Sequence, residues 1–176
     1  KGLNKIVKNG NEKNILMASS CDMRYIESIK KIKELIKNQK IGKVTSFAYH
    51  VGQYLPDWHP WEDYRKFFAS RKDTNGCVEV IPGELNWMED IFGKITSVMS
   101  LNGKYSDLEI DSPDTYQIIL KFKNNLLGNY MVDVVSRVPC RNIRIIGTEG
   151  IIEWDHGKKL IKMYTAKNKK WEEFPE

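Results

Sequence analysis

Between residues 26 and 36 apolar side chains recur every three to four positions. Ile26, Ile29, Ile32, Leu35 and Ile36 fall on one face, and lysines and glutamates cover the other. That period predicts an amphipathic helix over 25–38, ended by the turn NQKIGK. KVTSFAYHV (43–51) reads as a strand. Residues 52–75 read as a long loop rich in aromatics, with a short helical stretch near 61–69. A second helix is expected over about 82–92: Pro82 suits a first turn, and Leu85, Trp87, Met88, Ile91 and Phe92 follow at helical spacing. From residue 94 the period falls to two. ITSVMSL is one strand. In DTYQIILKF (114–122) Tyr116, Ile118, Leu120 and Phe122 share a side, opposite Thr115, Gln117 and Lys121. Asn124-Asn125 suits a tight turn into LLGNYMVDVVS (126–136). NIRII (142–146), IIEWD (151–155) and LIKMYT (160–165) follow, separated by the turns GTEG and HGK.

Strands so closely spaced make an antiparallel sheet. The fold class is therefore α+β, a largely antiparallel open sheet covered on one face by helices. Strand 126–136 is apolar on both sides, with Leu127, Tyr130, Met131, Val132, Val134 and Val135. Helices can cover one side; a homo-oligomer built through the sheet face is expected to cover the other. The first residues do not fit this plan. LNKIVKNGNEKN looks helical without a start signal and runs into apolar ILMAS (15–19), read as a strand. A helix and strand this short cannot bury their own apolar face. Residues 1–20 are thus expected to be the last helix-strand unit of an α/β domain whose earlier part lies outside this chain, with 21–176 forming a separate α+β domain.

Composition narrows the classes. The 176 residues are 41% hydrophobic and 11% aromatic, enough for a packed core. Net charge is +5, from 28 basic and 23 acidic residues, and the lysines sit on helix faces and in the tail. A nucleic-acid surface needs a dense basic stripe with aromatics between the charges, so no nucleic-acid partner is expected. No apolar run approaches the roughly 20 residues of a membrane span. Cys21, Cys77 and Cys140 are scattered and form no CxxC. They read as buried or idle thiols in a reducing cytosol rather than metal ligands, and the expected location is cytoplasmic.

Candidate chemistry concentrates in two places. VGQYLPDWHPWEDYR (51–65) sets Tyr54, Trp58, Trp61 and Tyr64 among Asp57, His59, Glu62, Asp63 and Arg65. Aromatic faces with acids and an imidazole between them suit a polyhydroxylated ligand, whose C–H faces stack while its hydroxyls take polar partners. Anchoring of the loop on the sheet, or a subunit interface, would use the same aromatics. An imidazole titrates near neutrality, which makes His59 a candidate proton carrier. In GCVEVIPGELNWMEDIFG (76–93) Glu79 and Glu84 crowd the start of the second helix, where the dipole favours negative charge. Glu84 reads either as a fixed acceptor for sugar hydroxyls or as an ordinary first-turn acid.

NILMASSCDMRYIESIKKIKELIKNQKIGKV resembles the junction between the two domains of the Gfo/Idh/MocA oxidoreductases, with its Arg24-Tyr25 pair. GCVEVIPGELNWMEDIFGKI resembles that family's catalytic helix, and IRIIGTEGIIEWD its late hairpin. The order and spacing cover most of the chain. YLPDWHPWEDYR further resembles members linked to surface-polysaccharide or nonulosonic-acid sugar pathways. The resemblance implies a Rossmann domain, NAD or NADP, hydride transfer at a sugar or nucleotide-sugar carbon, and a C-terminal sheet that binds substrate and builds oligomers.

The departures matter as much. No Gly-x-Gly-x-x-Gly run is present, and the family's Glu-Lys-Pro motif is not found. The chain is thus expected to be the C-terminal part of such an enzyme, inactive alone, with NAD or NADP bound mainly by the missing N-terminal domain. Aligned from Phe92-Gly93, the family's helix pattern D-x-G-x-H-x-x-D places Glu79 at its first Asp, Gly83 at its His and Asn86 at its last Asp. Oxidising an alcohol needs a base within hydrogen-bond range, and a carboxylate does that work at neutral pH only in a buried setting. The candidate catalytic residues are Glu79, partnered by the lost domain's lysine, and His59. Arg24, Tyr54, Asp57, Trp58, Trp61, Glu84 and Asn86 are candidate substrate contacts, with Arg24 read alternatively as a stitch across the domain junction. The competing reading is a noncatalytic carbohydrate-binding or oligomerisation module derived from the family.

Overall fold

The computed structural model describes residues 2–18, 21–74 and 76–176. Three helices occur in it, α1 (Leu3–Glu12), α2 (Glu27–Lys37) and α3 (Val80–Phe92). Eight strands form one sheet: β1 (Val44–Gly52), β2 (Ile95–Gly103), β3 (Thr115–Phe122), β4 (Leu127–Asp133), β5 (Cys140–Gly147), β6 (Gly150–Asp155), β7 (Leu160–Thr165) and β8 (Lys170–Pro175). Their order is β2-β3-β4-β1-β5-β6-β7-β8. Every pairing is antiparallel except β1 with β4, where Tyr49 lies level with Tyr130. β1 thus enters the centre of the sheet between the β3–β4 hairpin and the β5–β8 meander, a long-range placement that no local turn signal encodes.

Alternation decides what each strand buries. Tyr116, Ile118, Leu120 and Phe122 of β3 point to the helix-covered face, as do Phe47 and Tyr49 of β1 and Ile143 and Ile145 of β5. They meet Ile29, Ile32 and Leu35 of α2 and Trp87, Met88 and Phe92 of α3 in one core. Phe47 stacks on Phe92 with ring centroids 4.6 Å apart. Gly128 of β4 leaves room for the same ring, because a Cβ there would overlap Phe47. Gly93 ends α3 at φ 92°, a conformation that glycine adopts without strain.

Several expectations are corrected. Residues 15–18 form no strand, and no described strand lies beside them to make a ladder; the end of that expected strand, Ser19, and the expected domain boundary at Ser20 lie outside the described residues, as does Asn75 at the end of the aromatic loop. The expected helical stretch near 61–69 is two three-residue 3-10 turns, Tyr64–Lys66 and Phe68–Ser70. β4 stops at Asp133 rather than Ser136, because the Asp133 carboxylate accepts the backbone N–H of Val135 (2.9 Å) and of Ser136 (2.7 Å) and turns the chain. β8 was not expected. Its KWEEFP sequence is too polar to signal a strand, and it is an edge strand held by the β7 ladder and a Tyr164–Trp171 ring contact. No helix among the described residues is long and apolar enough to cross a membrane.

Leu120 is fully buried at the centre of the helix-facing layer. Leu120→Ala should lower the unfolding free energy by about 2–5 kcal/mol, read from the urea midpoint at unchanged slope.

Candidate functional site

At one end of the sheet the carboxyl ends of β1 and β4 and the start of β5 face the N-terminal turn of α3. A cavity of 410 Å³ opens there. Its walls are Val51, Gly52 and Gln53, the segment Val132–Val134, Cys140 and Arg141, and Cys77 and Val80 on the approach to α3. Trp58 and the turn His156-Gly157 close it. Burial pushes the Cys77 thiol up to about 12, which keeps it protonated and unreactive.

Beneath the cavity lies a buried carboxylate. Glu84 is 2% exposed. The Tyr49 hydroxyl and the Trp87 indole N–H each donate to its Oε2 at 2.7 Å, and Arg141 Nη2 lies 3.2 Å from its Oε1. Burial, and then the neighbouring Glu84 charge, hold the Tyr49 hydroxyl well above its usual pKa, so it remains a donor. The same two causes raise Tyr130. Stripping one partner from such a pair leaves an uncompensated buried charge, at a cost of about 3–5 kcal/mol.

From outside the cavity lining, His50 reaches two of its wall residues: His50 Nε2 lies 2.6 Å from Asp133 Oδ2, and Cys140 Sγ is 3.4 Å from His50 Nδ1. The order Cys–His–Asp suggests a nucleophilic triad. Its electrostatics argue otherwise: burial and the Asp133 charge raise the Cys140 thiol, which favours the protonated, weakly nucleophilic form. Among the described residues no cluster of His, Cys, Asp and Glu has metal-holding geometry.

The sequence candidates separate. Trp58 lines the cavity, its indole N–H donating to the Gln53 carbonyl at 3.2 Å. Glu79 is exposed; it falls between the lining residues Cys77 and Val80 but is not itself part of the wall. Glu84 points inward, and its oxygens are engaged within the protein rather than offered to a ligand. Asn86 is half-buried on α3, and its Oδ1 is buried without a partner. Arg24 donates to Asp90 at 2.7 Å and ties the Asp22–Tyr25 turn to α3, a contact inside the expected 21–176 domain rather than across its junction. Lys33 first, and then Arg24, lower the Asp90 carboxyl. Tyr54 lies under the Arg137 guanidinium at 3.6 Å. Asp57 is exposed. His59 bonds Glu62 and stacks on Trp61 at 5.1 Å; Trp61 is 79% exposed, and neither ring reaches the cavity.

Arg141, His156, Asp133 and His50 stand at the site without being among the sequence candidates. The signal for Arg141 is register: it shares the inward parity of Ile143 and Ile145, so a cation lies on a buried face. Glu84 carries the matching signal, since it falls in the buried stripe of Ile81, Trp87 and Met88.

A family model described as the GFO/IDH/MocA C-terminal domain matches residues 29–153. The sequence matches no curated protein. Among solved structures, a protein of Desulfitobacterium hafniense superposes at TM-score 0.80 and 12% identity over 95% of this chain and 51% of that one. Levoglucosan dehydrogenase in complex with NADH and levoglucosan superposes at 0.76 and 15% identity, over 89% and 46%. An oxidoreductase from Agrobacterium radiobacter in complex with NAD+, L-tartaric acid and magnesium superposes at 0.78 and 15% identity, over 97% and 49%. At these identities the likeness establishes the fold. The chain spans about half the length of the structures it matches.

Asp133 sets an acid limit on this end of the sheet. Burial raises its carboxyl, but the His50 bond, the N–H groups of Val135 and Ser136 and the Ser136 hydroxyl outweigh it, and the net shift is downward. Its stabilising contribution is therefore complete above the ordinary carboxyl value of about 3.9 and lost as pH falls through the depressed folded value. The stability gap between the chain and Asp133→Asn, measured by urea unfolding across pH, should be widest near neutrality and close at the acid end.

Proposed function

Since the chain belongs to the Gfo/Idh/MocA family through its C-terminal domain, we propose that it is the substrate-binding half of a nicotinamide-dependent dehydrogenase of sugars or nucleotide sugars, working in the cytoplasm. The observation that carries this reading is the cavity where α3 meets the ends of β1 and β4. It is walled by an aromatic and by hydrogen-bonding groups, in a fold shared with levoglucosan dehydrogenase. The aromatic loop supports a narrower assignment to surface-polysaccharide or nonulosonic-acid sugar pathways.

The residues present do not form a dinucleotide cradle. No Gly-x-Gly-x-x-Gly run occurs among the 176 residues, so NAD or NADP is assigned to an N-terminal domain of which residues 1–20 are the end. Exposed Leu3, Ile6 and Leu16, the last 94% exposed, support a covering layer outside this chain. What this half contributes is binding, orientation and proton handling. Trp58 offers an aromatic face to the sugar. Glu79 is exposed between two lining residues and lacks the buried setting a carboxylate base needs, so the proposed proton carrier is a lysine of the other domain, with Glu79 as its partner. The noncatalytic alternative rests on Gly83, which carries no imidazole although a Cβ there would meet nothing within 4 Å. Turnover decides between the two.

The open face of the sheet is the proposed homo-oligomer surface. Met99 (71% exposed), Leu101, Ile119 and Leu127 share that face across β2, β3 and β4.

A protein comprising this chain and the preceding nicotinamide domain should reduce NAD+ or NADP+ with at least one member of a panel of sugars and sugar nucleotides. Trp58→Ala should raise KM about tenfold and Glu79→Gln should lower kcat about a hundredfold. No turnover across the panel would favour the binding module. Separately, Ile119→Lys combined with Met99→Lys should convert an oligomer to monomers in analytical ultracentrifugation without changing the circular dichroism.

A further inference from the structure

Arg141 is the single lysine or arginine among the described residues that line the end-of-sheet cavity. Its guanidinium carries five N–H donors and no acceptor. One is directed to Glu84, and Nη1 lies 3.3 Å from the Met23 sulfur, a weak acceptor. Nε is buried without a partner, and the side chain stays 30% exposed toward the cavity. Next to it, the His156 backbone N–H donates to the Arg141 carbonyl at 2.9 Å. The His156 ring packs on Trp154, its Nδ1 is also buried without a partner, and it too lines the cavity. Both residues line the same cavity, and each carries one buried polar atom without a partner. The remaining charge there is already compensated, because Asp133 is held by His50 and the Ser136 turn.

A guanidinium with donors to spare at a cavity wall marks a place where an oxygen of the ligand adds hydrogen bonds. Resting on the dehydrogenase reading, we infer that Arg141 and His156 form an oxyanion subsite, so that the preferred substrate is an acidic sugar whose carboxylate or phosphate docks on the Arg141 fork. Glu84, Tyr49 and Trp87 act beneath it as positioning residues. The planar fork meets two oxygens of such a group at once, which a neutral hydroxyl cannot match.

Calorimetric titration of the protein comprising this chain and the preceding nicotinamide domain with D-glucose, D-glucuronate and D-glucose 1-phosphate separates the possibilities. At least one acidic ligand should bind about tenfold tighter than glucose, and the tighter of the two identifies carboxylate or phosphate as the docked group. Arg141→Lys keeps a cation for Glu84 but loses the fork. It should stay folded by circular dichroism and lose most of the preference. If that variant does not fold, the charge-balanced pair Glu84→Gln with Arg141→Gln provides the same comparison. Equal binding of glucose and both acids overturns the oxyanion subsite alone. So does a folded Arg141 variant with its preference intact. No binding of any of the three overturns the sugar-binding reading together with the subsite.

Discussion

One buried carboxylate holds this domain in register. Glu84 reaches from α3 to β1 through Tyr49 and to β5 through Arg141, and is bonded within its own helix by Trp87. Hydrophobic burial drives the helices onto the sheet, but it is non-directional and tolerates small slips. A carboxylate stripped of water does not, since an unmet hydrogen bond in that setting costs about 1–3 kcal/mol. The position of α3 against β1 and β5 is thereby fixed, and with it the mouth of the cavity.

Local pattern revealed much of the architecture. The isoleucines of α2 and the strict alternation of β3 each report which side faces the core, and the structure follows both. Long-range pairing left no such trace. The parallel match of β1 with β4 joins segments about 80 residues apart, and residues 15–18 have strand composition without a ladder to join. β8 shows the reverse case, a polar segment recruited because β7 offered an open edge. In the site, composition pointed to the aromatic loop, whereas the polar groups with unmet bonds are a cation and an imidazole on or beside inward-facing strand positions. Their meaning depends on register, and a period read without regard to charge passes over it.

The aromatic loop serves two purposes within a few residues. Trp58 is tethered to Gln53 and turned into the cavity, whereas Trp61 stays in solvent with His59 stacked against it. Tyr54 carries the Arg137 guanidinium, which joins the loop to the segment after β4. Anchoring and ligand contact are thus divided among neighbouring rings.

Charge compensation separates structure from site most clearly. Asp90 is matched by Arg24 and Lys33, Asp133 by His50 and backbone donors, and Asp114 by the Tyr105 and Ser106 N–H groups and the Ser106 hydroxyl. Each of these acids ends with its oxygens engaged, and each ties a turn or a strand end in place. Arg141 satisfies Glu84 and still has donors left over at a cavity wall. Arg141 lines this cavity, unlike Tyr130 and Trp154, whose orphaned polar atoms lie in the core, and a ligand oxygen is the proposed acceptor for its spare donors.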